Sequence, residues 1–141
     1  IDIIGSDHAP HTLSEKKQKY PDSPSGMPGV QTLIPLLLNE VSKKTISITN
    51  VVELTSFNPI KRFKVKDKGL IKEGYDADFT FVDLSMTKKI SNKLIKSKCS
   101  WTPFHGMKVT GWPVGTMING NKVFWNEKII GKPIGKPVKF N

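Results

Sequence analysis

Candidate catalytic side chains lie near the start of the chain, where a short apolar run ends in acidic and imidazole groups. In the sequence IDIIGSDHAPHT of residues 1–12, Asp7 is followed by His8 and, after a proline, by His11. A carboxylate beside two imidazoles can bind a metal, transfer a proton, or do both. The alternative is that Asp7 caps a turn and both histidines are ordinary loop residues, and this motif alone does not decide between the two.

A second candidate is the segment Ser25-Gly26-Met27-Pro28-Gly29, which follows a long polar loop. Loops of this length are usually functional or disordered. Glycines allow the backbone to approach a ligand closely and can present N–H groups to an anion. A plain turn before a helix explains the same residues at least as well.

A buried strand is predicted to position the first candidate. Residues 1–4 are mostly isoleucine, which is typical of a parallel sheet covered on both faces. Asp7 would then stand at the carboxyl end of the strand, the edge that carries the chemistry in a barrel of parallel strands. Because the chain begins inside this predicted strand, we expect it to be a piece of a longer protein.

A helix is predicted after the second candidate, because residues 30–41 carry apolar side chains at helical spacing. Thr32 is its expected N-cap, Pro35 fits the first turn, and the helix should end near residues 43–44. The next segment should start a helix at Thr49, and Asn58-Pro59 should stop it and start another.

Residues from 64 onward are instead typical of a small antiparallel sheet. Strands are predicted at residues 79–84, 108–110, 114–118 and 122–125, and Asn119-Gly120 is a strong hairpin signal between the last two.

The net charge of +10 raises the question of a nucleic-acid partner. Arg62 is the only arginine, although bidentate phosphate and guanine recognition favours arginine, so we expect a solvated basic surface and no nucleic-acid binding. No apolar run approaches the roughly 20 residues of a membrane span, so no membrane partner is predicted. Cys99 is the only cysteine, which suits a reducing compartment and favours a cytoplasmic location.

Three blocks of the sequence resemble the C-terminal part of class I dihydroorotases, in the amidohydrolase superfamily. They are SDHAPH at residues 6–11, PSGMPGVQT at 24–32, and Asn58-Pro59 followed by GLIKEGYDADF at 69–79. The segment KCSWTPF at residues 98–104 is also similar to this family. The resemblance extends over essentially all 141 residues, which amount to roughly the last third of such an enzyme.

The resemblance implies an α/β fold, a (β/α)8 TIM barrel with a small β-sandwich. Residues 1–63 would be the last barrel strand, the active-site loop and barrel helices, and residues 64–141 the C-terminal share of the sandwich. The implied reaction is the reversible cyclisation of N-carbamoyl-L-aspartate to L-dihydroorotate in pyrimidine synthesis. Zinc, at a one- or two-metal site, would polarise the amide carbonyl and activate a bound water.

The resemblance also assigns roles to individual residues. Asp7 matches a metal ligand that serves as general acid and base, and His11 matches a residue that binds the substrate carboxylate. Ser25 and Gly26 match loop positions that contact the pyrimidine ring, Gly26 through its backbone. His8 is left with a supporting or structural role.

The other metal ligands of the family belong to earlier strands, which this sequence lacks. Asp7 alone cannot hold zinc, which needs three or four protein ligands, and a whole barrel takes about 250 residues. We therefore expect the chain alone to be inactive and to need the missing N-terminal barrel portion as a partner. A homodimer or aspartate transcarbamoylase is a further possible partner.

Three alternatives remain. Another cyclic amidase (allantoinase, or hydantoinase/dihydropyrimidinase) would apply the same chemistry to a different ring. A non-catalytic dihydroorotase-like scaffold subunit would lack the upstream histidines. A basic nucleic-acid-binding module would show a steep salt dependence, and no motif supports it.

Overall fold

Short helices occupy the first half of the molecule and an antiparallel sheet the second half, in a computed structural model that describes residues 1–140. The strand order is β1-β2-β3-β4, and every neighbouring pair is antiparallel. None of the helices in residues 1–140 has the length and apolar content that a membrane span requires. The elements are α1 (Leu13–Lys16), α2 (Leu33–Ser42), α3 (Ile48–Val52), α4 (Asn58–Phe63), β1 (Phe79–Lys89), β2 (Lys108–Ile118), β3 (Asn121–Trp125) and β4 (Lys128–Ile129).

The predicted strand at residues 1–4 is not formed in the described part of the chain. Ile1 is fully exposed, and the segment lies against helical backbone. The Ile4 N–H donates to the Leu54 carbonyl at 3.1 Å, and the Asn58 side chain donates to the Asp2 carbonyl at 2.8 Å. A strand needs a neighbouring strand to satisfy its backbone groups, and residues 1–140 place none beside this segment.

Helix α2 forms where its apolar spacing predicted it. Thr32 precedes its first residue and Lys43 follows its last, while Pro35 occupies the first turn, where a missing N–H costs no helical hydrogen bond. Pro35 and Leu38 are buried. Val30 was expected on the same apolar face, but it lies before the helix and is more than half exposed.

The helical segment after α2 differs from the prediction at both ends. Ser47, rather than Thr49, caps α3: its hydroxyl accepts from the Asn50 N–H at 3.0 Å, and its own N–H donates to the Asn50 side chain at 3.1 Å. The helix does not stop at Asn58 but continues through a π-helical turn, Glu53–Phe57, into α4. That wider turn accommodates Pro59, which has no N–H for the α-helical pattern.

Strand β2 joins the two halves of the molecule. It combines the separately predicted strands 108–110 and 114–118, since the ladder bends through Gly111 instead of ending there. The buried Asn39 side chain of α2 accepts a hydrogen bond from the Thr110 N–H at 3.0 Å. Leu38 of α2 and Val109 are almost fully buried. The sheet is therefore fixed to the helix that follows the second candidate segment.

The hairpin turn was predicted correctly from its Asn-Gly pair. Asn119 and Gly120 both have positive φ, 48° and 75°, as the turn type that matches strand twist requires. A salt-bridge network supports the turn: Lys68 pairs with Asp76 at 2.8 Å and with Asp78, whose other oxygen accepts from the Asn119 N–H at 2.8 Å. Burial raises the pKa of Asp78, but the hydrogen bonds from Lys68 and Asn119 outweigh it, so this pKa lies below its usual value.

Substitution of Gly111 by alanine should destabilise the protein through a steric clash. Gly111 has φ 97°, and an added Cβ would lie 2.6 Å from the Leu38 Cβ. Gly74 is the matched control, because it also has a positive φ of 84° but has open space around it. We expect Gly111→Ala to cost at least about 2 kcal/mol more than Gly74→Ala, measured by urea unfolding. Equal urea midpoints for the two variants would contradict the close packing of α2 on β2.

Substitution of Lys68 by glutamine should weaken the acid dependence of stability. Because its pKa is lowered by folding, Asp78 contributes stability above its unfolded pKa, and this contribution is lost as pH falls through the folded pKa. Lys68→Gln removes the cation, so the urea midpoint should fall less between pH 6 and pH 3 than in the wild type. Lys98→Gln, which removes a lysine that has no ion pair within residues 1–140, controls for net charge. If the urea midpoint of Lys68→Gln falls with pH as steeply as that of the wild type, the network does not affect Asp78.

Candidate functional site

Asp7 has a backbone conformation that is uncommon for a residue with a side chain. Its φ of 43° lies in the left-handed region, which asparagine and aspartate tolerate better than most residues, and its side chain is exposed. Directly after Asp7 the chain pairs with the second candidate segment. His8 and Met27 form a parallel bridge, and the Ala9 N–H donates to the Met27 carbonyl at 3.0 Å. The backbone that follows Asp7 is thus paired with the loop that carries Ser25 and Gly26.

The contact between these segments depends on glycine. Gly26 has φ 93°, and a Cβ there would lie 2.5 Å from the Ala9 Cβ; a Cβ on Gly29 would lie 2.7 Å from the Ser6 carbonyl oxygen. No other residue fits at either position without moving backbone. The structure therefore brings the two predicted segments together. Ser25 is exposed to solvent.

His8 fastens this contact with its ring. Its Nδ1 accepts hydrogen bonds from the N–H groups of Gly29, at 3.1 Å, and Val30, at 3.4 Å. Nδ1 must therefore be unprotonated in this arrangement. The supporting role left to His8 is consistent with this geometry, although its partners, 21 and 22 residues away, could not be identified from local spacing.

His11 is held by its backbone on both sides. Its N–H donates to the Ala9 carbonyl at 3.0 Å, and its carbonyl accepts from the indole N–H of Trp101 at 2.7 Å. The following residue, Thr12, caps α1 in a reciprocal pair with Glu15. The hydrogen bond from the Thr12 hydroxyl, followed by that from its backbone N–H, lowers the pKa of Glu15. The chain is thus fixed before and after the imidazole.

Residues 1–140 do not complete a metal site. They contain no group of three or more histidine, cysteine, aspartate or glutamate side chains arranged to hold a metal ion. Asp7 can supply one oxygen ligand, whereas the Nδ1 of His8 is already occupied by two N–H donors. Since zinc in proteins needs three or four protein ligands, the remaining ones would have to come from outside this part of the chain.

The amidohydrolase family model matches residues 1–123 of the chain, which is most of its length. The chain belongs to the amidohydrolase family. This confirms the resemblance carried by the blocks at residues 6–11, 24–32 and 69–79. Amidohydrolases are generally metal-dependent.

Curated relatives of this amidohydrolase are dihydroorotases. The dihydroorotase of Pyrococcus furiosus is 41% identical over 138 residues, which are 98% of the chain and 32% of that protein. The dihydroorotase of Methanothermobacter thermautotrophicus is 39% identical over 130 residues, covering 92% of the chain and 30% of that protein. The chain thus spans about a third of the length of the curated relatives it matches.

Solved structures with the same fold are hydantoinases. L-hydantoinase (dihydropyrimidinase) from Arthrobacter aurescens superposes with a TM-score of 0.88 at 32% identity, over 94% of the chain and 30% of that protein. D-hydantoinase from Thermus sp. gives 0.87 at 27% identity, with the same coverage. The amidohydrolase fold of the chain, a mixed α/β arrangement with an antiparallel sheet, is therefore confirmed.

Removing the ring acceptor of His8 should release the loop that it holds. His8→Leu leaves the N–H groups of Gly29 and Val30 without their partner, so their amide hydrogen exchange should accelerate about tenfold. His8→Asn is the control, because its side-chain oxygen occupies the position of Nδ1 and can still accept. If both variants exchange like the wild type, the histidine does not hold the loop.

Proposed function

We propose that the chain is the C-terminal part of a dihydroorotase, which interconverts N-carbamoyl-L-aspartate and L-dihydroorotate in pyrimidine synthesis. The sequence support is identity of about 40% with dihydroorotases over nearly the whole chain. The structural support is that the backbone between Asp7 and His11 pairs and packs with the Ser25-Gly26 loop.

Asp7 carries the proton in this proposal. Ring opening requires a base that takes a proton from the attacking water and an acid that delivers it to the departing amide nitrogen. One carboxylate can serve both steps, as base first and acid second. Its exposure at the end of the first segment leaves it accessible to a substrate.

His11 binds the substrate carboxylate, and Ser25 and Gly26 contact the ring. The carboxylate distinguishes dihydroorotate from the uncharged rings of hydantoin type, so a group dedicated to it sets specificity. Gly26 is exposed, so its backbone is accessible to the ring. The Ser25 hydroxyl is exposed next to it and can donate or accept a hydrogen bond.

The metal in this proposal is zinc, at a one- or two-metal site to which Asp7 contributes one ligand. The missing N-terminal barrel portion supplies the remaining ligands and closes a (β/α)8 barrel around them. In that assembly residues 1–63 belong to the barrel and residues 64–141 to a β-sandwich. The protein acts on a small molecule in the cytoplasm, and its protein partner is a second copy or aspartate transcarbamoylase.

A hydantoinase is the second candidate function, because the hydantoinase folds superpose closely on this chain. A non-catalytic scaffold subunit is the third. A dihydroorotase and a hydantoinase would turn over different rings, whereas a scaffold subunit would turn over neither.

Asp7→Asn should reduce kcat for dihydroorotate hydrolysis by about a thousandfold in the protein that contains the whole barrel, because it removes the proton carrier. Asp22→Asn, in the exposed loop before the site, should leave kcat unchanged.

His11→Asn should raise KM for dihydroorotate. Assays with dihydroorotate and the uncharged dihydrouracil in parallel separate the candidates, and preferential turnover of dihydrouracil by the wild type would favour the hydantoinase.

The 141-residue chain by itself should not hydrolyse dihydroorotate, since it lacks the other metal ligands. The measurement is the same assay with zinc added to the purified chain. Zinc-dependent turnover would show that residues 1–141 contain a complete active site, contrary to this proposal.

A further inference from the structure

The segment between β1 and β2, residues 91–106, has no role in the function proposed so far, yet it contacts both parts of the site. It is not part of the sheet and contains one short 3-10 turn, Asn92–Leu94. We propose that Trp101 in this segment is a positioning residue for His11, and that its indole N–H sets the affinity for the substrate carboxylate. This inference rests on the proposed function of His11.

The Trp101 indole N–H donates a hydrogen bond to the His11 carbonyl. It is 2.7 Å long and joins residues 90 positions apart. Together with the bond from the His11 N–H to Ala9, it engages both backbone groups of His11. The imidazole itself remains free of side-chain partners among the hydrogen bonds of residues 1–140, so it can bind a ligand while its backbone stays fixed.

The same segment also holds the second part of the site. The Gln31 amide donates to the Leu94 carbonyl at 2.5 Å and accepts from the Lys96 N–H at 2.8 Å. Gln31 directly follows the backbone that His8 binds. Residues 94–101 therefore connect His11 with Gln31, which follows the Gly29-Val30 backbone that His8 binds.

The segment is held in place by hydrogen bonds of its own. The Asn92 side chain accepts from the Thr102 N–H at 3.0 Å, and the Asn92 N–H donates to the ring of His105 at 3.1 Å. Thr102 and Cys99 are buried on either side of Trp101. At its ends, Ile90 exchanges backbone hydrogen bonds of 2.8 Å with residues 106 and 107, which closes the segment on the sheet.

The other two tryptophans differ from Trp101 in their surroundings. Trp112 in β2 and Trp125 in β3 each have a lysine ammonium over the ring, Lys88 at 5.3 Å and Lys122 at 4.2 Å. Neither ring nitrogen donates to a site segment in residues 1–140. Trp112 is therefore a matched control, since its replacement by phenylalanine removes an N–H donor without touching the site.

The experiment compares Trp101→Phe with Trp112→Phe in the protein that contains the whole barrel. Trp101→Phe removes one hydrogen bond that orients His11, so KM for dihydroorotate should rise about tenfold while kcat stays within about twofold. Trp112→Phe should leave both constants unchanged. A loss of kcat without a rise in KM, or equal effects of the two substitutions, would overturn the inference.

A second variant covers the case in which Trp101→Phe does not fold. Benzothienylalanine at position 101 keeps the shape of the indole and lacks the N–H donor, and it should give the same rise in KM. Unchanged KM in this variant would show that only the packing of the ring matters.

An NMR measurement separates this inference from the proposed function. In Trp101→Phe the ring signals of His11 should shift, whereas in Trp112→Phe they should stay in place. If the wild type turns over no dihydroorotate, the proposed function fails and, with it, the substrate-affinity part of the inference. The His11 ring signals then still test the positioning role, which unshifted signals would overturn.

Discussion

The site depends on one close approach of two backbone segments, residues 6–11 and 24–30. Two glycines make this approach possible, because a Cβ at Gly26 or Gly29 would lie within 2.7 Å of the facing segment. The ring of His8 then joins the segments through the N–H groups of Gly29 and Val30. All four residues predicted to act on substrate or metal lie on these segments. The relative placement of these four residues therefore depends on the two glycines and on the His8 acceptor. All four would be displaced if the segments could not approach each other.

The rest of the fold fixes this pair of segments from behind. Helix α2 follows the loop directly and packs on β2 through Leu38 and the hydrogen bond from Thr110 to Asn39. The segment between β1 and β2 returns to the site and bonds to His11 and Gln31. The sheet contains no predicted catalytic group, but it is bonded to α2, which follows the Ser25-Gly26 loop. Helix packing and polar contacts to backbone carbonyls both hold the two segments in place.

Local patterns in the sequence predicted local structure well. Apolar spacing located α2, and the Asn119-Gly120 pair located the hairpin. Motif resemblance identified the segments that meet at the site, and the residue roles on them stay predictions. The features that escaped prediction depend on distant partners: residues 1–4 have no strand to pair with, and Trp101 contacts a carbonyl 90 residues away. The π-helical turn before Asn58 was missed because Pro59 usually marks a helix start, whereas a wider turn lets the helix continue.

We propose that Asp7 of this amidohydrolase chain is one ligand of a zinc site whose other ligands lie in a further part of the protein. Native mass spectrometry of the protein purified from its source tests this proposal, because it reports polypeptide mass and bound metal together. We expect a zinc-bound species of about three times the 15.7 kDa of this chain, since the chain spans about a third of the length of its dihydroorotase relatives. A 15.7 kDa species without metal and without a complementing chain would contradict it.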